Sequence, residues 1–218
     1  MGSGLPEDVT ATAVASCPEL EPEPAAPRSA PRCGDPALAL ATALLLPPNR
    51  PVLSVAPMMA WTTHHFRQLM RMLTKRTLLY TEMYPADVVL QAAAVSPERL
   101  ESLIGFQASQ RPLAVQLGGR DPERLAAAAG TCAARGYDEV NINVGCPSET
   151  VSLGQCYGAA LMREAGLVQA LAAAVRAAVP PTVAVTIKHR LGVDDHDSWD
   201  QLVEFVTVVS QPPASVTQ

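Results

Sequence analysis

From Val52 onward the sequence alternates short apolar runs with segments of helical period, five times over, and no hairpin signal joins one run to the next. Val52 to Val55, Leu78 to Glu82, Pro112 to Gln116, Asp138 to Val144 and Pro181 to Ile187 read as strands. Thr62 to Lys75, Ala86 to Ala94, Ala159 to Val179 and Ser198 to Val209 read as helices, and 95 to 111 as a looser segment. A further helix starts at Asp121-Pro122, an N-cap followed by proline, and closes at Gly136, where a left-handed residue is expected. Strands separated by helices return through crossovers, so the sheet is expected to be parallel.

Two α/β architectures satisfy this pattern, a doubly wound sheet and a TIM-type (β/α) barrel. No G-x-G-x-x-G follows the first strand, so the dinucleotide fingerprint of the doubly wound fold is missing. Gln116, Asn141, Asn143 and Lys188 stand at or near the carboxyl ends of otherwise apolar strands, where a barrel gathers its active site. The fold class expected is therefore α/β, a TIM-type (β/α) barrel with about the first five of its eight strand-helix units. Residues 49–210 form that partial barrel, and the chain is expected to be a C-terminally truncated copy with aggregation-prone edges on its outer strands.

Composition separates off the two ends. Residues 1–48 hold nine of the 20 prolines and six acidic against two basic side chains, a Pro/Ala-rich extension expected to be disordered. Residues 211–218 read as a disordered tail. The formal charge of −5 divides into −4 for the extension and −1 for the rest, so the folded part lacks the strong basic footprint of an electrostatic RNA binder. The apolar run Leu38 to Leu46 is too short to span a bilayer, and the acidic content argues against an Arg-rich transit peptide. No membrane association is expected, and an intracellular location is, cytoplasmic or organellar.

The helix at Thr62 to Lys75 places Phe66, Leu69, Met70 and Leu73 on one face and Arg67, Arg71 and Lys75 on the other. Its basic stripe reads as a solvated helix face, with phosphate contact as the alternative. The five cysteines, at 17, 33, 132, 146 and 156, form no CxxC pair and no zinc spacing, so no metal site is expected. Adjacent His64 and His65 point in different directions on a helix. Cys146 sits where the alternation of Asn141-Ile142-Asn143-Val144 gives way to Gly145-Cys146-Pro147-Ser148. Taken alone, a thiol there is a buried filler, a metal ligand, a nucleophile or an acid.

The segments SVAPMMAWT (54–62), LLYTEM (78–83), AVQLGG (114–119), GYDEVNINVGCPS (136–148) and IKHRLGVDD (187–195) resemble, in order and spacing, those of the tRNA-dihydrouridine synthases, most closely the DusA-like branch. The resemblance implies a flavin-dependent oxidoreductase that reduces the C5–C6 double bond of specific uridines in the tRNA D-loop, with FMN as cofactor, NADPH as reductant and tRNA as partner. It assigns Cys146 as the catalytic proton donor, a thiol that must stay protonated near neutral pH. It assigns Pro57, Met58, Met59, Gln116, Asn143 and Lys188 to cofactor binding: backbone at the first three, an amide on the flavin edge, an asparagine beside flavin and uracil, and a cation near the N1/C2 region of the ring. His189 and Arg190 accompany the lysine.

The family's usual Asp-Trp-Thr-Asp is here Ala60-Trp61-Thr62-Thr63, and Leu153 stands where relatives tend to have asparagine. The FMN phosphate site, a later histidine and the helical tRNA-binding domain belong to the part beyond the fifth helix and are expected to be absent. Two other readings stand beside this one. One is a non-catalytic RNA-binding fragment, and the other a non-flavin enzyme with Cys146 as nucleophile and His189 as its base.

Overall fold

The computed structural model describes residues 53–148 and 157–212. The extension 1–48, Val52, Leu153 and its loop, and all of the tail but Gln211 and Pro212 lie outside the described residues. The elements are β1 (Ser54–Val55), α1 (His64–Leu73), β2 (Leu78–Pro85), α2 (Ala86–Val95), α3 (Pro97–Ile104), β3 (Leu113–Gly118), α4 (Pro122–Ala134), β4 (Glu139–Val144), α5 (Ala165–Ala178), β5 (Ala184–His189) and α6 (Trp199–Ser210).

All strand pairs are parallel, and the sheet order β1-β2-β3-β4-β5 repeats the chain order without a reversal. A doubly wound sheet reverses its strand order at a switch point; a barrel does not. Successive helices pack on one another, α2 on α4, α4 on α5 and α5 on α6. The fold is thus five units of a (β/α) barrel, with β1 and β5 as the sheet edges among the described residues.

The two faces of the sheet differ in chemistry. Val115, Leu117, Val140, Ile142, Val144 and Val185 join the core under the helices, with Leu125, Ala128, Val168, Leu171 and Val175 opposite them. The alternate positions Gln116, Glu139, Asn141 and Asn143 are buried and polar. Caps follow the sequence signals. Asp121 Oδ1 accepts from the Glu123 and Arg124 amides, Gly136 takes a positive φ of 92°, and Ser198 forms a capping box with Gln201.

Three sequence expectations change. The looser segment contains α3, whose N-cap Ser96 and first residue Pro97 are ordinary start signals that the sequence reading passed over. The first turn of the expected helix at Ala159 is a 3-10 segment, Gly158–Arg163, and the α-helix proper begins at Ala165. The third change is at α1, where Phe66 and Met70 are half-buried as expected but two other residues of each face are exchanged. Arg67 and Arg71 are 3% and 5% exposed, whereas Leu69 and Leu73 are 54% and 74% exposed, so the basic stripe is no solvated face.

The physical reason is a row of acceptors that only the folded chain provides. Arg71 donates through Nη2 to the carbonyls of Gln110 and Pro112, both at 2.9 Å, through Nε to Gln110 and through Nη1 to Thr74. Arg67 Nε donates to Gln110 Oε1 at 3.3 Å and Nη1 to the Thr62 carbonyl at 2.7 Å. Gln110, fully buried, returns its amide to the His64 carbonyl. These arginines fasten α1 to the chain entering β3: Arg71 meets the buried carbonyl of Gln110 and adds to the Leu79 N–H on that of Pro112, and Arg67 meets the carbonyl of Thr62.

Arg71→Met keeps the length of the side chain but takes both guanidinium donors from the buried Gln110 carbonyl, and is expected to destabilise the protein by about 3 kcal/mol in urea unfolding. Lys75→Met, at an exposed position, is expected to change it by less than about 0.5 kcal/mol. Equal effects at the two positions would contradict the buried placement of Arg71.

Candidate active site

The carboxyl ends of the strands open onto a cavity of about 330 Å³ lined by Pro57, Met59, Met83, Gln116, Asn143, Gly145, Cys146, Pro147, Ser148 and Lys188. The loop after β1, then β2, β3, β4 with its following loop, and β5 each contribute. Six of the seven residues singled out in the sequence meet there. The seventh, Met58, does not line the cavity. Its backbone closes the turn instead, the N–H donating to Thr62 Oγ1 and the carbonyl accepting from Trp61 and Thr62.

Asn143 shapes the cysteine loop. Its Oδ1 accepts from the Gly145 amide at 3.1 Å and the Cys146 amide at 3.0 Å, which leaves its Nδ2 donors for the cavity. The Cys146 carbonyl accepts from Ala159 at 2.9 Å, and Arg190 Nη1 reaches the Gly145 carbonyl at 3.4 Å. Gly145 lies close to β5, and a Cβ there would stand a tight 3.3 Å from the backbone at both Lys188 and His189. The thiol of Cys146 is thereby held half-buried at the cavity wall, where strand and loop meet.

The register of β4 on β5 sets Asn143 opposite Lys188. Lys188 is exposed, and it forms no ion pair among the described residues. Gln116 is 4% exposed, its Nε2 donating to Asn141 Oδ1 at 2.8 Å. Tyr157 does not line this cavity; it lines a neighbouring one with Gly118, Gly119 and Arg120. A Cβ at Gly118 would meet its ring at 2.5 Å and the Met83 sulfur at 2.7 Å, so glycine is required for the ring to lie where it does. Burial, and then the neighbouring Cys146, push the Tyr157 phenol above its ordinary pKa.

His189 faces away. Its ring packs on Phe205 of α6 with centroids 5.3 Å apart, and its Nδ1 meets the Arg190 carbonyl. It is not a lining residue, so the base that a nucleophilic Cys146 requires is not supplied by His189.

A family model for dihydrouridine synthases matches residues 54–214. The chain belongs to the dihydrouridine synthase family. The tRNA-dihydrouridine(20/20a) synthase of Vibrio parahaemolyticus is 45% identical over 159 residues, covering 73% of this chain and 46% of that protein. That of Synechocystis sp. is 46% identical over 158 residues, covering 72% and 45%, and that of Escherichia coli K12 is 43% identical over 157 residues, covering 72% and 43%. The chain thus spans somewhat under half the length of the curated relatives it matches.

Sequence reasoning missed Met83. Alternation from Tyr80 points it to the helices, but the register shifts between Tyr80 and Met83 and brings Met83 opposite Gln116. At the shift the Thr81 hydroxyl accepts the Gln116 backbone N–H at 3.2 Å. The family's aspartates after β1 are replaced in two ways. Thr63 still caps α1, accepting from the Phe66 amide, whereas Ala60 holds a left-handed φ of 61° that an aspartate tolerates better than an alanine. Glu82 Oε1 accepts the Ala60 N–H at 2.6 Å and fixes that turn. Among the described residues no group of three or more His, Cys, Asp or Glu is placed to hold a metal ion, and no helix is long and apolar enough to cross a membrane.

The two described cysteines differ in burial. Cys132 is fully buried in α4, and burial pushes its thiol up to about 12, opposed by the weaker pull of Arg135. Iodoacetamide at pH 8 is expected to alkylate Cys146 while Cys132, with a thiolate fraction of ~10⁻⁴, stays unmodified until the protein unfolds, as read by peptide mass mapping. Labelling of Cys132 ahead of Cys146 would contradict this placement.

Proposed function

We propose that the chain carries the ring-binding and proton-donating part of a tRNA-dihydrouridine synthase active site, which reduces the C5–C6 bond of a D-loop uridine with FMN as cofactor and NADPH as reductant. The observation that carries this reading is the meeting of Gln116, Asn143, Cys146 and Lys188 with Pro57 and Met59 around one cavity, in a chain of this family. The relatives' names specify positions 20 and 20a, and we assign the same uridines here.

The lining fits a flavin ring. Pro57, Met59 and Met83 offer an apolar floor, while an amide from Gln116, the Nδ2 of Asn143 and the ammonium of Lys188 answer a ring edge that mixes N–H and carbonyl groups. Lys188 is the one basic side chain lining the cavity among the described residues, so the fit is to the ring. FMN, when bound and reduced by NADPH, supplies the hydride that adds to C6 of the uracil.

The chain's own residues do the rest. The ammonium of Lys188 favours negative charge in the cavity. Cys146 gives its S–H proton to C5 of the uracil, completing the reduction as a general acid, and its thiolate regains a proton from water through the open side. Asn143 keeps the thiol at the wall by holding the amides of Gly145 and Cys146. The target base must leave its stack to reach this depth.

Ring recognition is tested with lumiflavin, which has no phosphate. Its fluorescence is expected to be quenched by the chain, and Lys188→Ala or Gln116→Leu is expected to weaken binding by about tenfold. Acid catalysis is tested in a chimera that joins this chain to the remaining part of the Escherichia coli relative. There Cys146→Ala is expected to retain FMN while lowering dihydrouridine formation on unmodified tRNA by about 10²- to 10⁴-fold. Unchanged turnover would remove Cys146 from the role.

A further inference from the structure

Gln116 on β3, Asn141 on β4 and Thr186 on β5 stand in one row across the sheet, since Gln116 pairs with Asn141 and Asn141 with Thr186. Gln116 Nε2 donates to Asn141 Oδ1 at 2.8 Å, and Asn141 Nδ2 donates to Thr186 Oγ1 at 2.7 Å. The Thr186 hydroxyl donates to Glu139 Oε1, and the same oxygen accepts the Tyr80 hydroxyl at 2.7 Å. Gln116, Asn141 and Glu139 are 4%, 2% and 3% exposed, so water has little access to exchange for these partners.

Amides and hydroxyls each donate and accept, so a line of three of them has two possible polarities. A carboxylate only accepts. With Glu139 at one end, the single hydroxyl hydrogen of Thr186 is committed to it, and the Thr186 oxygen must accept from Asn141. The amide nitrogen of Asn141 therefore faces Thr186 and its oxygen faces Gln116. Gln116 must meet that oxygen with one N–H of its own NH₂, and its carbonyl oxygen, the side chain's one acceptor, is left for another donor.

We propose that Glu139, through Thr186 and Asn141, is a positioning residue that fixes Gln116 with its carbonyl oxygen available to the cavity, so that this place selects a ligand edge presenting an N–H. The reverse polarity would turn the Gln116 NH₂ toward the ligand and oppose an N–H there. A flavin ring carries such an N–H in its pyrimidine portion; this identification of the ligand rests on the flavin reading, whereas the polarity of the line does not.

The line is tested first in the flavin-free 218-residue chain by NMR of the side-chain amides of Gln116 and Asn141, assigned through Gln116→Glu and Asn141→Asp. Both NH₂ groups are expected to exchange slowly. Thr186→Val, which keeps the shape and removes the relay, is expected to abolish that protection at both while the backbone amides of β3 and β4 keep theirs; Thr186→Ser is expected to restore it. Adding Asn141→Asp to Thr186→Val places an acceptor-only group beside Gln116 and is expected to return protection to Gln116, an outcome that a purely structural role for Thr186 does not give. Gln116 signals unmoved by Thr186→Val would overturn the proposal, as would their failure to recover protection in the double variant.

Lumiflavin titration supplies the second readout. Thr186→Val is expected to weaken binding by about tenfold, with Thr186→Ser and the double variant within about twofold of the parent. Equal affinity in all four proteins would overturn the link from Glu139 to the ligand. If the parent itself takes no flavin, the flavin reading falls and the amide signals still decide the polarity.

Discussion

The parallel register of β3, β4 and β5 decides where every polar side chain of the site lies. Gln116 opposite Asn141, Asn141 opposite Thr186 and Asn143 opposite Lys188 form two rows on one face, one of them hydrogen-bonded from strand to strand. Val115, Leu117, Val140, Ile142 and Val185 occupy the other face and join the helices in the core. A slip of one residue in any pairing would carry valines into the polar rows and amides under the helices. Both faces thus demand the same register, one by hydrophobic burial and one by the cost of leaving buried amides without partners.

The cysteine loop inherits its position from that register. Asn143 can hold the amides of Gly145 and Cys146 because β4 delivers it at the strand end, and Gly145 lies close to β5 because Val144 pairs with His189. Arg190 and Ala159 secure the carbonyl side of the same loop. The thiol therefore needs no flanking charge to be placed. Its surroundings are amides and a lysine across the cavity, an arrangement suited to giving a proton toward a base held between them.

Much of this was legible in the chain. The five strand-helix alternations imply a parallel sheet, and polar residues at the carboxyl ends of strands β3, β4 and β5 mark a barrel site before any coordinates. The polar series Glu139, Asn141, Asn143, at every second residue of a strand whose intervening residues are apolar, carried the signal of an inward polar face. What was not legible depended on partners far off in sequence. The face of α1 was misread because Arg67 and Arg71 find carbonyls and an amide some 40 residues away, at Gln110 and Pro112, which no helical period records. Met83 was missed because a one-residue irregularity in β2 reverses its direction. That the N–H of Met58 donates to Thr62 Oγ1 is a contact within a single turn that the motif does not reveal.

The central claim is that strand-end side chains from β3, β4 and β5, with Cys146 at their wall, form one flavin-ring site. A crystal structure of the chain soaked with FMN tests it most directly. The ring is expected between Gln116 and Lys188, on Pro57 and Met59, with the Cys146 sulfur facing the side left open for a base; ring density at any other place, with this cavity filled by solvent, would contradict it.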